Sequence, residues 1–214
     1  MKKTLVTDCD GVLLQWLTHV PDFVEDLGLD ASHLKDCLKG NQFIPFFDLF
    51  AATNEKEAFE RLEAYQASEY LKKLPVIENG SEKVISDLSK EYEIIVVTSF
   101  SENPIAQKNR AENLELRFGN SISDLICLPQ SADKTEVLKD LAKSRDVKIW
   151  LDDQIKHVHH GINAGIDSYQ YTHGMECGRN TGEVKEIDSW KKVHSMFLNE
   201  DLVKKSSSRL RRRM

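Results

Sequence analysis

The chain has 214 residues, of which 40% are hydrophobic and 30% charged, and its formal net charge is −6. This length suits one globular domain, or one core with a modest insertion, and it can bury a sizeable core without disulfides or a structural metal. No apolar run is long enough for a membrane-spanning helix, and the start, Met1-Lys2-Lys3, fits no signal peptide. We therefore expect a cytoplasmic protein whose four widely separated cysteines are reduced.

Strand-like and helix-like segments alternate along most of the chain, which is typical of a parallel α/β sheet flanked by helices. Several strand candidates are continuous apolar runs, as expected for strands covered on both faces. The predicted strands are Leu5–Thr7, Ile94–Val97, Leu125–Leu128, Lys148–Leu151 and Tyr169–Tyr171. Predicted helices begin near Ser81, Asp133 and Gln154. The sequence thus predicts a Rossmann-like core formed by residues 1–13 and 75–200.

The stretch from about residue 14 to residue 74 breaks this alternation, because it contains no convincing strand. Its helix-like segments are Pro21–Leu27, Ala31–Leu38 and Asn54–Tyr70, and an aromatic-rich piece between them includes Phe43, Phe46 and Phe47. The stretch is too small for an independent domain. We therefore predict a helical cap, residues 14–74, inserted after the first strand and packed over the sheet.

Residues 201–214 are predicted to form a disordered basic tail. From Lys204 onward the chain has six basic residues, which leaves 23 basic and 35 acidic residues, a net charge of −12, in the rest. Such an acidic body argues against a broad nucleic-acid-binding face, apart from the tail itself.

Pairs of carboxylates follow two of the predicted strands. Asp8 and Asp10 come after the first strand, with Gly11 permitting a sharp turn, and Asp152 and Asp153 come after the fourth. Open parallel sheets bind ligands beyond the carboxyl ends of their strands, and Mg²⁺ is a natural partner for clustered carboxylates. Each pair taken alone also fits a simpler interpretation, an ordinary turn for the first and a helix cap for the second.

Other polar residues follow the remaining central strands. Thr98 and Ser99 come after the second strand, where hydroxyls and backbone amides can receive phosphate oxygens, although capping of the next helix is an alternative. Lys134 begins a helix, where it gains nothing from the helix dipole, so taken alone it fits a surface lysine. The recurrence of such residues after four strands favours one shared site at that edge.

This order of residues resembles the haloacid dehalogenase (HAD) superfamily of phosphotransferases. The first motif is matched by Asp8-Cys9-Asp10-Gly11, the second by Thr98, the third by Lys134 and the fourth by Asp152-Asp153. The resemblance covers nearly the whole chain up to the last helix and the tail. It implies an Mg²⁺-dependent phosphomonoester hydrolase that acts through an aspartyl-phosphate intermediate, with a cap inserted between the first two motifs.

The resemblance also implies a role for each matched residue. Asp8 would be the nucleophile and Asp10 the general acid/base. Thr98, with Ser99, and Lys134 would hold the transferring phosphoryl group. The Mg²⁺ ligands would come from the four carboxylates Asp8, Asp10, Asp152 and Asp153.

Within the superfamily, the chain is most similar to the 5′(3′)-deoxyribonucleotidases. The similarity rests on the lead-in Tyr70–Pro75 and on the stretch around Thr98-Ser99 and Asp133-Lys134-Thr135. Trp16 falls where that family has an aromatic residue that packs on the nucleobase, and Phe43, Phe46 and Phe47 are further candidates for a base pocket. The chain departs from the family pattern at Phe100, where proline is usual, and at Ala132, where arginine is expected.

The resemblance implies a small phosphorylated substrate, a nucleoside monophosphate in the first place, and a monomer or homodimer. The alternatives are a sugar or metabolite phosphatase, a nucleic-acid 3′-end phosphatase that uses the basic tail, and a non-catalytic binding protein. His157, His159 and His160 offer no fourth ligand for zinc, so we predict that they lie at the surface. Trp150 and Trp190 are predicted to lie in the core.

Overall fold

The computed structural model describes residues 3–40, 44–173 and 182–197. Six strands form one sheet: β1 (Lys3–Thr7), β2 (Tyr92–Ser99), β3 (Asp124–Leu128), β4 (Asp146–Asp152), β5 (Ser168–Tyr171) and β6 (Glu186–Ile187). All are parallel and lie in the order β3-β2-β1-β4-β5-β6. The Rossmann-like sheet predicted from the sequence is confirmed, with five strands at their predicted places. The sequence did not predict β6, because two residues carry no readable pattern.

The described helices follow the predicted alternation. They are α1 (Val20–Asp26), α2 (Ser32–Lys39), α3 (Phe46–Leu49), α4 (Glu55–Gln66), α5 (Ser81–Ser89), α6 (Pro104–Phe118), α7 (Thr135–Ser144), α8 (Ile155–Asn163) and α9, which is helical over 190–197. Short 3₁₀ turns occur at Trp16–His19, Leu71–Lys73 and Gly119–Ser121. Within these ranges no helix combines the length and the hydropathy needed to cross a membrane.

The central strands are apolar on both faces because helices cover both. Leu5, Ile94 and Ile149 belong to one buried cluster, and their chain neighbours Val6, Ile95 and Trp150 belong to a second. Successive residues of a strand point to opposite faces, so the two clusters lie on opposite sides of the sheet. Helices α5, α6 and α9 contribute to the first cluster and α7 to the second. Trp150 and Trp190 are fully buried, as predicted.

Only helices and turns separate β1 from β2 among the described residues up to Leu74. The helix predicted over Asn54–Tyr70 stops at Gln66, and the chain then bends, with the Ser68 hydroxyl donating to the Tyr65 carbonyl at 2.6 Å. Phe43 lies outside the described residues, as do Cys177 and the predicted tail. Cys9, Cys37 and Cys127 are free thiols.

The two connections between this helical segment, here called the cap, and the sheet run side by side. Leu14 and Val76 form an antiparallel bridge. The Gln15 amide donates to the Pro75 carbonyl and the Ile77 amide donates to the Leu13 carbonyl, both at 2.9 Å. The chain therefore enters and leaves the cap at one point.

Helix α6 holds the returning connection. Asn109, Asn113 and Arg117, spaced four residues apart and so on one face of the helix, donate hydrogen bonds to backbone carbonyls in the segment 66–74. The side-chain nitrogen Nδ2 of Asn113 reaches two of these carbonyls, those of Lys72 and Leu74, at 3.1 and 3.2 Å. Three polar side chains on one core helix thus fix the end of the cap to the core.

Candidate active site

The first two carboxylates lie where β1 ends. The Asp8 amide donates to the Leu151 carbonyl at 2.7 Å, which continues the pairing with β4 and places the Asp8 side chain at the carboxyl edge of the sheet. Asp8 is buried and Asp10 is partly buried. Gly11 takes a positive φ of 76°, which a residue with a side chain rarely adopts, and so allows the chain to turn away directly after Asp10.

Lys134 lies between two of the predicted site carboxylates. Its ammonium Nζ is 3.0 Å from Asp8 Oδ1 and 2.8 Å from Asp152 Oδ2, and the side chain is fully buried. Nζ also lies 5.1 Å from the centre of the Trp150 ring. The structure therefore places this lysine in the interior, although its position at the start of a helix fits a surface residue when considered alone.

The second acidic pair follows β4, and both residues are buried. Asp152 accepts hydrogen bonds from Lys134 Nζ and, through Oδ1, from the backbone amide of Gln154, the residue that precedes α8, at 2.9 Å. The backbone carbonyl of Asp153 accepts from Gln170 Nε2 at 3.0 Å. Asp152 is thereby fixed beside Lys134 and Asp8.

Two histidines predicted to lie at the surface are instead buried beside this cluster. His157 Nδ1 is 3.3 Å from Asp152 Oδ2. His160 Nδ1 accepts a hydrogen bond from the Lys134 amide at 3.2 Å, so this nitrogen carries no proton in that arrangement. The prediction was wrong because helix α8 turns the face that carries both residues toward α7 and the sheet edge. His159, on the opposite side, is exposed as predicted.

Arg110 is a member of the site that the sequence analysis missed. It is fully buried on α6, with its Nη2 2.7 Å from Asp10 Oδ2 and its Nη1 3.3 Å from the Cys9 sulfur. Its guanidinium carbon lies 4.6 Å from the centre of the Phe100 ring. A signal was present, since Arg110 falls at four-residue spacing between Ala106 and Leu114, which belong to the buried face of the helix.

Thr98 and Ser99 end β2 at the same edge. Thr98 is buried, and the Ser99 hydroxyl donates to the Ala132 carbonyl at 3.0 Å, which ties the end of β2 to the loop between β3 and α7. The Phe100 amide continues the pairing by donating to the Leu128 carbonyl at 2.9 Å. Thr98 and Ser99 therefore lie next to the loop that leads to Lys134, and the Ser99 hydroxyl already bonds a backbone carbonyl of that loop.

The predicted pocket aromatics belong to a larger cluster of rings in the cap. Trp16 packs edge-on against Phe50 and Tyr65, with ring centroids 6.1 and 5.3 Å apart, and it keeps part of its surface exposed. Phe46 contacts Phe47, Phe50 and Phe59. These contacts hold the rings in place within the cap. Among the described residues, the ring contacts of Trp16, Phe46 and Phe47 are all with other rings of the cap.

Burial and pairing shift the pKa values of these groups in different directions. Burial raises the pKa of Asp8, because it outweighs the nearby Lys134 charge. Burial also raises the pKa of Asp10, to about 6, against the opposing effect of Arg110. The pKa of Asp152 is lowered, since Lys134 and His157 outweigh its burial. Asp152 is thus firmly ionised, whereas Asp10 titrates close to neutral pH.

The charges of the cluster suit a divalent cation. Four carboxyl groups (Asp8, Asp10, Asp152 and Asp153) lie with two buried cations (Lys134 and Arg110), which leaves two negative charges uncompensated when all four are ionised. Ligand atoms of Asp8, Asp152 and His157 lie within 4.8 Å of one another. Carboxylate oxygens are the donors that Mg²⁺ prefers, so the residues present fit such an ion.

The sequence is similar to that of an uncharacterized phage protein. No family model matches the sequence. An uncharacterized 32.4 kDa protein from the Gp30-rIII intergenic region of Enterobacteria phage T4 is 28% identical over 160 residues, which are 75% of this chain. The chain spans only 57% of the length of that relative.

Solved structures with the same fold include hydrolases of the haloacid dehalogenase type. A haloacid dehalogenase-like hydrolase from Streptococcus pneumoniae has a TM-score of 0.63 at 16% identity, covering 92% of this chain and 98% of that one. An L-2-haloacid dehalogenase from Xanthobacter autotrophicus has a TM-score of 0.61 at 10% identity, with coverage of 93% and 99%. CbbY from Rhodobacter sphaeroides, solved in complex with phosphate, has a TM-score of 0.55 at 12% identity, with coverage of 89% and 95%. The chain shares the fold of these proteins.

Proposed function

We propose that this protein is an Mg²⁺-dependent phosphomonoester hydrolase in which Asp8 is the nucleophile. The observation that carries the proposal is the pairing of two carboxylates, Asp8 and Asp10, at the carboxyl end of β1, with buried Lys134 against the first of them. Lys134 and Asp152 fix Asp8 at the sheet edge, where ligands bind in folds of this type.

In the first step a carboxylate oxygen of Asp8 attacks the phosphorus and the bond from phosphorus to the ester oxygen breaks. Asp10 gives its proton to the departing oxygen, so the product leaves as a neutral alcohol. In the second step Asp10 takes a proton from a water molecule whose oxygen attacks the phosphorus. The bond between Asp8 and phosphorus then breaks, which releases inorganic phosphate and restores both carboxyl groups.

The remaining residues act on charge and orientation. Lys134 offsets the repulsion between the Asp8 carboxylate and an incoming phosphate, and Thr98 and Ser99 flank the same edge with their hydroxyls and backbone amides. A bound Mg²⁺, held by Asp8, Asp10 and Asp152 or Asp153, would supply electrostatic stabilisation of the phosphoryl oxygens.

Some of the structural relatives are dehalogenases, and the second carboxylate, Asp10, argues against that reaction here. A halide departs as a stable anion and needs no proton, so a carboxylic acid with a pKa of about 6 would have nothing to protonate. An alkoxide leaving group does need one. The excess negative charge of the cluster likewise favours chemistry that uses a divalent cation.

The substrate class that we propose is the nucleoside monophosphates, with sugar and metabolite phosphates as the alternative. Support comes from the similarity to the deoxyribonucleotidases and from Trp16, whose partly exposed indole could stack on a base. Phe46 and Phe47 share the same cap, and Phe47 is exposed.

A panel of esters tests the proposal. Phosphate release is measured with Mg²⁺ and with EDTA on nucleoside monophosphates, sugar phosphates, a 3′-phosphorylated oligonucleotide and p-nitrophenyl phosphate, and halide release on 2-haloacids. We expect Mg²⁺-dependent phosphate release, which Asp8→Asn abolishes and Asp36→Asn, at an exposed acid, leaves unchanged. Trp16→Ala should raise KM for nucleotides more than for p-nitrophenyl phosphate.

Halide release without phosphate release would overturn the phosphatase assignment. Retention of phosphatase activity in Asp8→Asn would overturn the nucleophile assignment. Release from sugar phosphates in preference to nucleotides would keep the reaction and reject the substrate class.

A further inference from the structure

Arg110 is a buried charged residue beside Asp10, and it has no role in the two chemical steps proposed above. The side chain is fully buried on α6, a helix of the core, and its guanidinium reaches the loop that follows β1. Burying a guanidinium is costly unless its charge is paired and its donors are used. Here one donor meets Asp10 and another meets the Cys9 sulfur, while Nε has no hydrogen-bond partner.

The contact with Asp10 is one-sided. Arg110 Nη2 bonds Asp10 Oδ2 at 2.7 Å, and the other oxygen, Oδ1, is buried without a hydrogen-bond partner. A guanidinium that served only to neutralise a carboxylate would commonly bond both oxygens in parallel. The arrangement seen here fixes the carboxyl group and leaves one oxygen uncommitted.

Two neighbours hold the guanidinium in that orientation. Phe100 presents its ring 4.6 Å from the guanidinium carbon, and the Cys9 sulfur accepts from the second terminal nitrogen. Both belong to the segments that directly follow β1 and β2. Phe100 is also one of the positions where the chain departs from the deoxyribonucleotidase pattern.

We propose that Arg110 is a positioning residue for Asp10: it holds Oδ2 throughout the reaction and so reserves Oδ1 for the proton that is transferred. This inference rests on the proposed phosphatase function. In the first step the proton leaves Oδ1 for the ester oxygen, and in the second it returns to Oδ1 from the attacking water. The Arg110–Oδ2 hydrogen bond persists through both steps, and it keeps the carboxyl group from rotating between them.

Because Arg110 acts only through Asp10, its removal should affect proton transfer and not phosphate binding. We expect Arg110→Met to lower kcat for phenyl phosphate by about 100-fold, within the usual range for general acid–base catalysis, with little change in KM. With p-nitrophenyl phosphate the leaving group needs little protonation, so only the second step should slow. A rapid-quench experiment should then show a burst of about one p-nitrophenol per enzyme.

A double-mutant cycle separates positioning from a structural role. In an Asp10→Asn background, Arg110→Met should lower kcat for p-nitrophenyl phosphate by less than about two-fold, because residues that act as one unit are not additive. Arg117→Met is the matched control, since Arg117 lies on the same helix and bonds only the Lys73 and Leu74 carbonyls in the described structure. That control should leave the ratio of kcat for phenyl phosphate to kcat for p-nitrophenyl phosphate unchanged.

Additive losses in the cycle, or equal losses on both esters without a burst, would overturn the role of Arg110. Arg110→Lys keeps the charge but not the planar geometry and repeats the comparison if Arg110→Met does not fold, as judged by circular dichroism and thermal denaturation. A folded wild-type protein that hydrolyses neither ester would overturn the phosphatase proposal and the Arg110 role together, whereas an active wild type with additive losses rejects only Arg110.

Discussion

Lys134 shows how far a single residue's surroundings can differ from what its neighbours in sequence suggest. A lysine at the start of a helix is ordinarily exposed, yet here it is buried between Asp8 and Asp152. The two carboxylates more than offset the cost of burial, which raises the pKa of Lys134 above its usual value. Its charge is therefore permanent at physiological pH, as its proposed role in receiving phosphate oxygens requires.

His160 gives the site region a sensitivity to acid. Its pKa is lowered by burial, and its unprotonated Nδ1 accepts the Lys134 amide hydrogen. A histidine whose pKa is lower in the folded than in the unfolded state contributes stability above its ordinary pKa, and this contribution is lost as the pH falls. The relevant window runs from neutral pH downward through the ordinary histidine range.

We therefore expect His160→Gln to lose less thermal stability than the wild type between pH 7.5 and 5.5. Loss of one hydrogen bond of about 1 kcal/mol corresponds to about 2–4 °C in a chain of this size. His159→Gln, at an exposed position, is the control and should follow the wild type. Identical pH profiles for all three proteins in differential scanning calorimetry would contradict the role of His160.

At this scale the sequence could predict the site carboxylates, Thr98 and Lys134, because each follows a strand and strand ends meet at one edge of a parallel sheet. The structure brings Asp8, Lys134 and Asp152 into contact. Arg110 could not be placed by that argument, since it reaches Asp10 across 100 residues from the middle of a helix. Such a contact depends on how a helix rotates on the sheet, which local pattern does not reveal.

Among the elements, α6 joins the two parts of the molecule. Its polar face, Asn109, Asn113 and Arg117, donates hydrogen bonds to backbone carbonyls of the segment 66–74. Helix periodicity predicts which residues share a face. It cannot predict that this face meets backbone rather than side chains, because most of the partner segment is irregular and its one 3₁₀ turn, Leu71–Lys73, is too short to show a pattern.

Asn113→Leu should weaken the attachment of the cap. The Lys72 carbonyl loses the Asn113 amide, whereas the Leu74 carbonyl keeps its hydrogen bond from Arg117, and leaving a polar group unpaired costs about 1–3 kcal/mol. We expect a matching loss in the free energy of unfolding and faster hydrogen exchange confined to residues 66–74. Leu116→Ala, at an exposed position of the same helix, should change neither. Unchanged exchange in Asn113→Leu would show that the other bonds suffice.

For the whole molecule, the parallel sheet and the two-sided core follow from the alternation of apolar strands with helices. The sequence predicted that architecture because continuous apolar strands require cover on both faces. The bounds of the short elements were harder: β6 has two residues and α3 has four, too few for a period to repeat. The sequence therefore predicts the long strands and helices, whereas the shortest elements form only through contacts with neighbouring segments.

The uncompensated charge at the sheet edge has a consequence for overall stability. An ion that binds the folded state alone, at 100 times its dissociation constant, adds about 2.7 kcal/mol. We expect saturating Mg²⁺ to raise Tm by about 5–10 °C for a chain of this size, and EDTA to reverse the rise. The rise should shrink as the pH falls from 7.5 to 5, because burial raises the pKa of Asp8 and of Asp10, the latter to about 6, and protons then compete with the ion.

Asp8→Asn and Asp152→Asn should each diminish the rise in Tm, while Asp36→Asn at an exposed site retains it. Differential scanning fluorimetry with and without Mg²⁺ measures the effect. A Tm that does not respond to millimolar Mg²⁺ at pH 7.5 would contradict the site.

The bridge between Leu14 and Val76 makes the cap, in polymer terms, a loop whose ends are already closed. The entropy of closing a loop grows only with the logarithm of its length, so a cap of about sixty residues costs about 2 kcal/mol more to close than one of about six. Chain connectivity therefore sets almost no limit on what is inserted there. The helical segment can therefore be exchanged while the strands that lead into Asp8 and Asp152 keep their register.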